Sequence, residues 1–258
     1  MPRGEDLLHG GALWLPAGAA YFCEPTPCRT NTNGLASGND LAEATLHGLL
    51  EVIERDAVAR LVDGEHLDVA RSCEVLDPGS ITAPELAAMI SAIERARTKV
   101  VLLRLRSGVS LPVVWAVLLN REPFASSSTF NTGFGAALDV RGAVARAVSE
   151  AVQSRLTMIH GARDDIVAKP AYREWPDPQQ VLNSSAYRFF DGLQPGARLD
   201  DSGLDHGPGV HEFLQIVLAR LREAGHERVY RVDLCCPVEG FSVVKIIAPS
   251  LRFDSALC

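Results

Sequence analysis

The chain lacks a basic surplus. Its 258 residues carry 25 Lys and Arg against 32 Asp and Glu, a formal net charge of −7. That excludes a general nucleic-acid binder, which needs excess positive charge to meet phosphate. It also lacks any apolar run near the roughly 18–20 residues of a membrane-spanning helix. Residues 1–11 show neither the charged n-region nor the apolar h-region of a signal peptide, so the expected compartment is the cytoplasm. Cysteine is sparse, at positions 23, 28, 73, 235, 236 and 258. None of the spacings is a C-x2-C zinc knuckle, and a cytosolic setting keeps thiols reduced, so the reading is buried, unpaired thiols. There is no G-x4-G-K-[ST] phosphate loop, and Gly133-Phe134-Gly135 is an incomplete dinucleotide fingerprint. No motif links the seven histidines to a cysteine nucleophile, so they read as surface or hydrogen-bonded residues.

What is present is an ordinary globular composition. Hydrophobic residues make up 47% and charged residues 22%, which excludes a wholly disordered chain. The length suits one large domain or two modest ones, with a core that needs no disulfide. Residues 12–22 read as extended, and 24–39, rich in Pro, Thr, Asn and Gly, as a loop. Asp40 is the expected N-cap of a helix from Leu41 to about Leu61. Residues 63–80 read as loop, and Pro84 opens a second helix. Strands are expected at Lys99–Leu105 and Leu111–Leu119, then a Ser- and Gly-rich connection over 121–140. A third helix starts at Arg141, and 163–209 read as mostly irregular. A helix over Val210–Ala224, stopped by Gly225, leads to strands at Arg228–Leu234 and Phe241–Ala248. The order helix, helix, strand, strand thus occurs over 41–119 and again over 141–248. Two such halves predict an α+β fold with a mixed or antiparallel sheet and helices packed on it.

Two helices carry polar stripes. At 100° per residue, Glu43, His47, Glu51 and Glu54 fall within about 80° of one another on the first helix, opposite an apolar face. Glu51 and Glu54 repel each other unless a cation lies between them, and hard cations such as Mg2+ take carboxylate oxygens together with substrate phosphates. A merely solvated acidic face is the alternative. The loop before this helix, Thr30 to Asp40, is dense in small polar residues of the kind that expose backbone amides to phosphate. On the third helix Arg146, Glu150 and Gln153 share a face, with Val144, Val148, Val152 and Leu156 on the apolar side. Arg155 lies about 140° from Glu150, so it serves such a site only from beside the helix. Arg163-Asp164-Asp165 follows.

One block of residues is specific enough to name a family. Asn33-Gly34-Leu35-Ala36-Ser37-Gly38-Asn39, then Glu43-Ala44, then Leu46 through Ala57 (LHGLLEVIERDA) resembles the signature of the YcaO family. Gly133-Phe134-Gly135-Ala136, Glu150 through Leu156 (EAVQSRL), Gly161 through Asp165 (GARDD), Val232-Asp233-Leu234, Val243-Val244-Lys245 and Pro249-Ser250-Leu251 agree in order. The resemblance covers about residues 5–252. It implies the YcaO fold, with ATP and Mg2+ as cofactors. It also implies activation of a peptide backbone amide, whose oxygen attacks the γ-phosphate. The O-phosphorylated intermediate then loses phosphate. A neighbouring Cys, Ser or Thr gives an azoline, and an external sulfide gives a thioamide. By position, Glu51 and Glu54 match the family's Mg2+ pair and Arg155 a phosphate-contacting arginine. Arg55, Glu150, Gln153, Asn33 and Arg163 are the further nucleotide-site positions.

The resemblance also sets expectations through its departures. Family members carry an earlier S-x3-E-x2-E helix and a basic N-terminal segment that this sequence does not contain. Residues 1–258 are therefore expected to be one YcaO domain without its N-terminal part. The proline-rich tail of azoline-forming members is absent after Arg252, which favours thioamide-forming or partner-dependent members. The implied partners are a peptide or protein substrate and a second protein: TfuA-like, leader-peptide-binding, or another YcaO fragment. A homodimer is compatible, and neither nucleic acid nor membrane is expected. The competing reading is a non-catalytic or split YcaO-like subunit, for example an accessory factor for a ribosomal-protein methylthiotransferase.

Overall fold

The chain is described by a computed structural model over residues 1–23, 31–63, 66–67, 69–122, 129–160, 178–200, 209–234 and 239–253. It divides into two compact units, one of Met1–Asp68, Ser107–Leu111 and His206–Cys258, the other of Val69–Arg106 and Pro112–Asp205.

The first unit is built on strands β1 (Arg3–Asp6), β2 (Ala12–Trp14), β3 (Leu35–Gly38), β11 (Tyr230–Leu234) and β12 (Ser242–Ile247). They form one sheet in the order β2-β1-β11-β12-β3, antiparallel at every pairing. Helices α1 (Leu41–Ala59) and α7 (Val210–Glu223) pack on each other, and α1 lies against β3 and β12. A short hairpin joins β4 (Val62–Asp63) to β5 (His66–Leu67). Helix α1 is buried well beyond a single stripe. Leu49 and Ile53 are fully enclosed, and Thr45, Gly48 and Asp56 are buried too. Gly34 explains how the chain enters β3: its φ is +78°, and a Cβ there would meet the Ile246 carbonyl and the Val52 side chain.

The second unit uses β6 (Cys73–Asp77), β7 (Thr98–Leu105), β8 (Val113–Asn120), β9 (Phe130–Ala136) and β10 (Ala197–Arg198) in the order β10-β6-β7-β8-β9. All pairings are antiparallel except β10 with β6, so this sheet is mixed. Its helices are α2 (Val69–Ser72), α3 (Pro84–Arg95), α4 (Val140–His160), α5 (Pro178–Leu182) and α6 (Ser185–Gly192). Every residue of β8 is buried, which fits its unbroken run VVWAVLLN: both faces of a central strand are covered. On one face Val100, Leu102, Val114, Ala116 and Leu118 meet α3 and α4. On the other, Trp115 stacks on Phe134 at 5.6 Å and meets Phe190 of α6 edge-on at 5.1 Å.

The α+β layering expected from the sequence is present once in each unit, but the copies are not consecutive in the chain. Helix α1 joins strands from the C-terminal part, while β7 and β8 belong with α4. Periodicity marks a buried face without saying which sheet covers it. Five strands emerge where loop, connection or irregular chain was expected: β3, β5, β6, β9 and β10. Each is an edge strand or next to the edge, and β3 and β9 carry glycines that depress β propensity. Of residues 12–22, only β2 is a strand, and Ala17–Ala19 form a 3-10 turn. Of the cysteines, Cys23 and Cys73 are half-buried rather than enclosed; Cys28, Cys235, Cys236 and Cys258 lie outside the described residues. No helix among the described residues is long and apolar enough to cross a membrane.

Candidate functional site

The first group of predicted residues is set by the start of α1. Asp40 is its N-cap, accepting the Glu43 amide at 2.8 Å, as expected. Glu43 Oε2 turns back and accepts the Asn39 amide at 2.8 Å and the Asn39 side-chain Nδ2 at 2.9 Å. His47 Nδ1 donates to the Ser37 carbonyl at 3.2 Å. Two of the four residues of the polar stripe therefore fasten the helix start, His47 to β3 and Glu43 to Asn39 just after it. That leaves Glu51 and Glu54, whose side chains are 29% and 10% exposed, so the stripe is not a solvated face there. Arg55 Nε stands 4.0 Å from Glu51 and 3.9 Å from Glu54, at the outer limit of an ion pair, balancing both. A carboxylate as enclosed as Glu54 needs a cation nearby to remain charged.

The turn before β3 is equally determined. Asn31 Oδ1 accepts the Asn33 amide at 3.0 Å. Lys245 of β12, only 4% exposed, donates to the Asn31 and Asn33 carbonyls at 2.6 Å each. Burial pushes the Lys245 pKa down, and the charge of Glu51 pulls it partly back. Asn33 Oδ1 is shielded from solvent with no hydrogen-bond partner. Lys245 entered the sequence reading only as part of the closing strands. Its signal was a single lysine inside the otherwise apolar run Val243–Ile247. Asp56, fully buried, was also missed. It holds Arg60 at 2.7 Å and accepts the Arg252 amide at 2.8 Å, tying the segment after β12 to α1.

The second group lies on α4. Glu150 Oε2 accepts the backbone amide of Phe134 in edge strand β9 at 2.9 Å. That contact is possible because α4 lies almost on the backbone of β9. A Cβ at Gly135 would come within 2.5 Å of the Ala143 carbonyl and the Ala147 amide, and one at Gly133 would run into Ala147 and Ala151. The Gly-Phe-Gly motif is thus a helix seat. Gln153 and Arg146 are exposed, and of the expected apolar side only Val144 and Val148 are buried. Val152 and Leu156 are 40% and 55% exposed, because the buried face of α4 runs through Ala143, Val144, Ala147, Val148 and Ala151. Arg155 points elsewhere than Glu150, as its helical angle requires. Its Nη1 donates to Thr98 Oγ1 at 3.5 Å, and its Nε is buried with no hydrogen-bond partner. Beneath it the core turns polar: Thr98, Asn120, Thr129 and Asn131 are all at most 5% exposed. Arg163, Asp164 and Asp165 lie outside the described residues.

Asn33, Glu51, Glu54 and Arg55 therefore belong to the first unit, and Glu150, Gln153 and Arg155 to the second. Among the described residues no three His, Cys, Asp or Glu side chains gather into a metal cage. Two carboxylates are nonetheless what Mg2+ commonly takes from a protein when phosphate and water complete its shell. A buried guanidinium nitrogen with no partner suits an anion.

The chain matches, over residues 2–252, the family described as YcaO cyclodehydratases, ATP- and Mg2+-binding. It belongs to the YcaO family. A relative from Methanothermobacter thermautotrophicus is 34% identical over 263 residues, covering 98% of this chain and 65% of its own. One from Rhizobium leguminosarum bv. trifolii, named for its place in the tfuA 3' region, is 32% identical, covering 97% of this chain and 60% of its own. The solved YcaO of Methanopyrus kandleri, bound with AMPPCP and Mg2+, is similar at a TM-score of 0.72 and 25% identity. That match covers 96% of this chain and 63% of the other. The chain thus spans about three-fifths of the length of the curated relatives it matches. ATP and Mg2+ are the family's cofactors, and the donor set above fits both.

Proposed function

We propose that this chain is the ATP- and Mg2+-binding part of an enzyme that activates a backbone amide in a ribosomally made peptide or protein. The observation that carries the proposal is the pair Glu51 and Glu54, largely withdrawn from water on one face of α1 in a chain of this family. These two would hold Mg2+. Arg155 would meet phosphate charge with its unpartnered Nε, and Arg55 would keep the two carboxylates ionised. Asn33, Glu150, Gln153 and Arg163 are proposed as further contacts to the nucleotide. When bound, Mg-ATP supplies an electrophilic phosphoryl group. Preorganised cations that need not reorganise as charge develops are what the protein adds.

The proposed product is an azoline or a thioamide. The relative named for the tfuA 3' region supports a TfuA-like partner and the thioamide outcome. The reaction is placed in the cytoplasm. The test is thermal unfolding of the chain with and without Mg-AMPPCP. The wild type is expected to gain stability with ligand concentration, as a ligand that binds only the folded state requires. Arg155→Ala is expected to weaken that response about 10- to 100-fold, the value of a hydrogen bond to a charged group. No stabilisation of the wild type, alone or with its genomic neighbours co-expressed, sinks the proposal. Mass spectrometry of a modified peptide then separates the products: cyclodehydration removes water, and thioamidation exchanges oxygen for sulfur.

A further inference from the structure

Lys245 is a charged group in a place that would otherwise be apolar. Its neighbours along β12, Val244 and Ile246, are enclosed, and it is itself 4% exposed. Across the sheet it is in register with Val232 on one side and Leu35 on the other. A lysine here costs desolvation and gains nothing from packing that a Leu or Met would not give. Its return is the pair of 2.6 Å bonds to the Asn31 and Asn33 carbonyls, with Asn31 Oδ1 at 3.5 Å, and the attraction of the Glu51 carboxylate. Those two carbonyls have their bond vectors fixed by one ammonium. The Asn33 amide is fixed by Asn31 Oδ1, the Leu35 amide by the Thr32 carbonyl at 2.9 Å, and the Gly34 carbonyl by the Ile246 amide at 2.8 Å. The Asn33 side chain, the one group of this turn left with a buried and unpartnered oxygen, therefore projects from a backbone that Lys245 holds still.

We propose that Lys245 is a positioning residue: its ammonium clamps the turn at residues 31–33 and so presets Asn33 for ligand, without itself touching the ligand. The part of this that concerns ligand rests on the nucleotide-binding reading above. The clamp alone does not. Both Lys and Arg can bridge two carbonyls, whereas Met fills the same space and bridges neither.

The test uses the 258-residue chain with Lys245→Met and Lys245→Arg, and reads amide hydrogen exchange without nucleotide. In Lys245→Met the Asn33 and Leu35 amides are expected to exchange at least tenfold faster, while amides in the middle of α1 keep their rates. Lys245→Arg is expected to restore most of the protection. Should Lys245→Met fail to fold, the wild type decides. A clamped ammonium gives a slowly exchanging 15Nζ signal, lost in Lys245→Arg, and its absence from the wild type overturns the clamp. Unchanged exchange at Asn33 and Leu35 overturns it as well, as does a uniform rise across α1, which marks plain destabilisation. Affinity for Mg-AMPPCP is then expected to fall about tenfold in Lys245→Met. A fall with no change in exchange assigns Lys245 to the ligand instead and overturns the proposal. If wild-type protein binds no Mg-AMPPCP, the nucleotide reading fails, and the exchange result still judges the clamp.

Discussion

Helices α1 and α4 resemble each other in sequence and differ in how they are seated. Both begin at an aspartate, carry a carboxylate and a guanidinium within one or two turns, and lie on a five-stranded sheet. Helix α1 is anchored by side chains: Asp40 caps its start, Glu43 and His47 hold it to residues 37–39, and Asp56 holds it to Arg252. Helix α4 is anchored by backbone proximity, over two glycines that let it settle onto β9. The first arrangement spends polar groups on structure and leaves Glu51 and Glu54. The second spends Glu150 on the β9 edge and leaves Arg155. An edge-strand amide satisfied by a helix carboxylate also blunts that edge against pairing with another chain.

The sharpest way to break this comparison is Gly135→Val. If α4 depends on backbone approach, the added side chain must push the helix off β9, at a cost of about 3 kcal/mol or more, the upper range for overpacking. Chemical denaturation should show the loss. A near-wild-type midpoint would mean that α4 can shift without penalty and that the glycines are incidental.

A smaller and more selective contrast comes from Glu54→Gln and Glu150→Gln. Both changes keep shape and an acceptor oxygen and remove the charge. At Glu54 the charge is what a metal requires. The Mg2+ concentration for half-maximal stabilisation by AMPPCP should rise at least about tenfold, equivalent to about 1.4 kcal/mol. At Glu150 the amide oxygen can still accept from Phe134, so the fold should stand and the Mg2+ requirement should move less than in Glu54→Gln. Equal effects at both positions would make Glu150 as much a metal ligand as Glu54 and erase the distinction between the helices.

How far the sequence could be read follows the same division. Local chemistry was legible: the Asp40 cap, the extent of α1, α4 and α7, the central strands β7 and β8, and the angular separation of Arg155 from Glu150. These depend on residues within a few positions of one another. What depended on distant segments was not. The edge strands β3 and β9, and β6 next to an edge, are strands because a neighbour pairs with them, and Ser-, Gly- or Glu-rich sequence gives little sign of it. The pairing of α1 with the C-terminal strands rests on contacts between residues some 200 positions apart. Glu43 and His47 looked like members of a metal stripe because their partners, Asn39 and Ser37, are backbone or amide groups that carry no pattern. Lys245 was visible as an oddity in an apolar run, but only the position of the Asn31 and Asn33 carbonyls says what it does.

The smallest contrast concerns the two helix starts. Asp40 accepts the Glu43 amide at 2.8 Å, and Asp139 accepts the Gly142 amide at 2.6 Å. Each bond satisfies one of the amides a helix leaves open at its first turn, and replacing such a cap with alanine costs about 1 kcal/mol. Local capping alone would make Asp40→Ala and Asp139→Ala equal. They should differ, because at α1 the cap is joined to a second device: Glu43, whose amide Asp40 holds, is the residue that grips Asn39. Loss of Asp40 frees Glu43 to fray with the first turn, so Asp40→Ala should exceed Asp139→Ala by some tenths of a kcal/mol. The double variant Asp40→Ala/Glu43→Gln, measured against its single variants by denaturant unfolding, reads that coupling directly. Strict additivity would show that the cap and the Glu43 grip act independently, and that α1 is no more dependent on side chains at its start than α4 is.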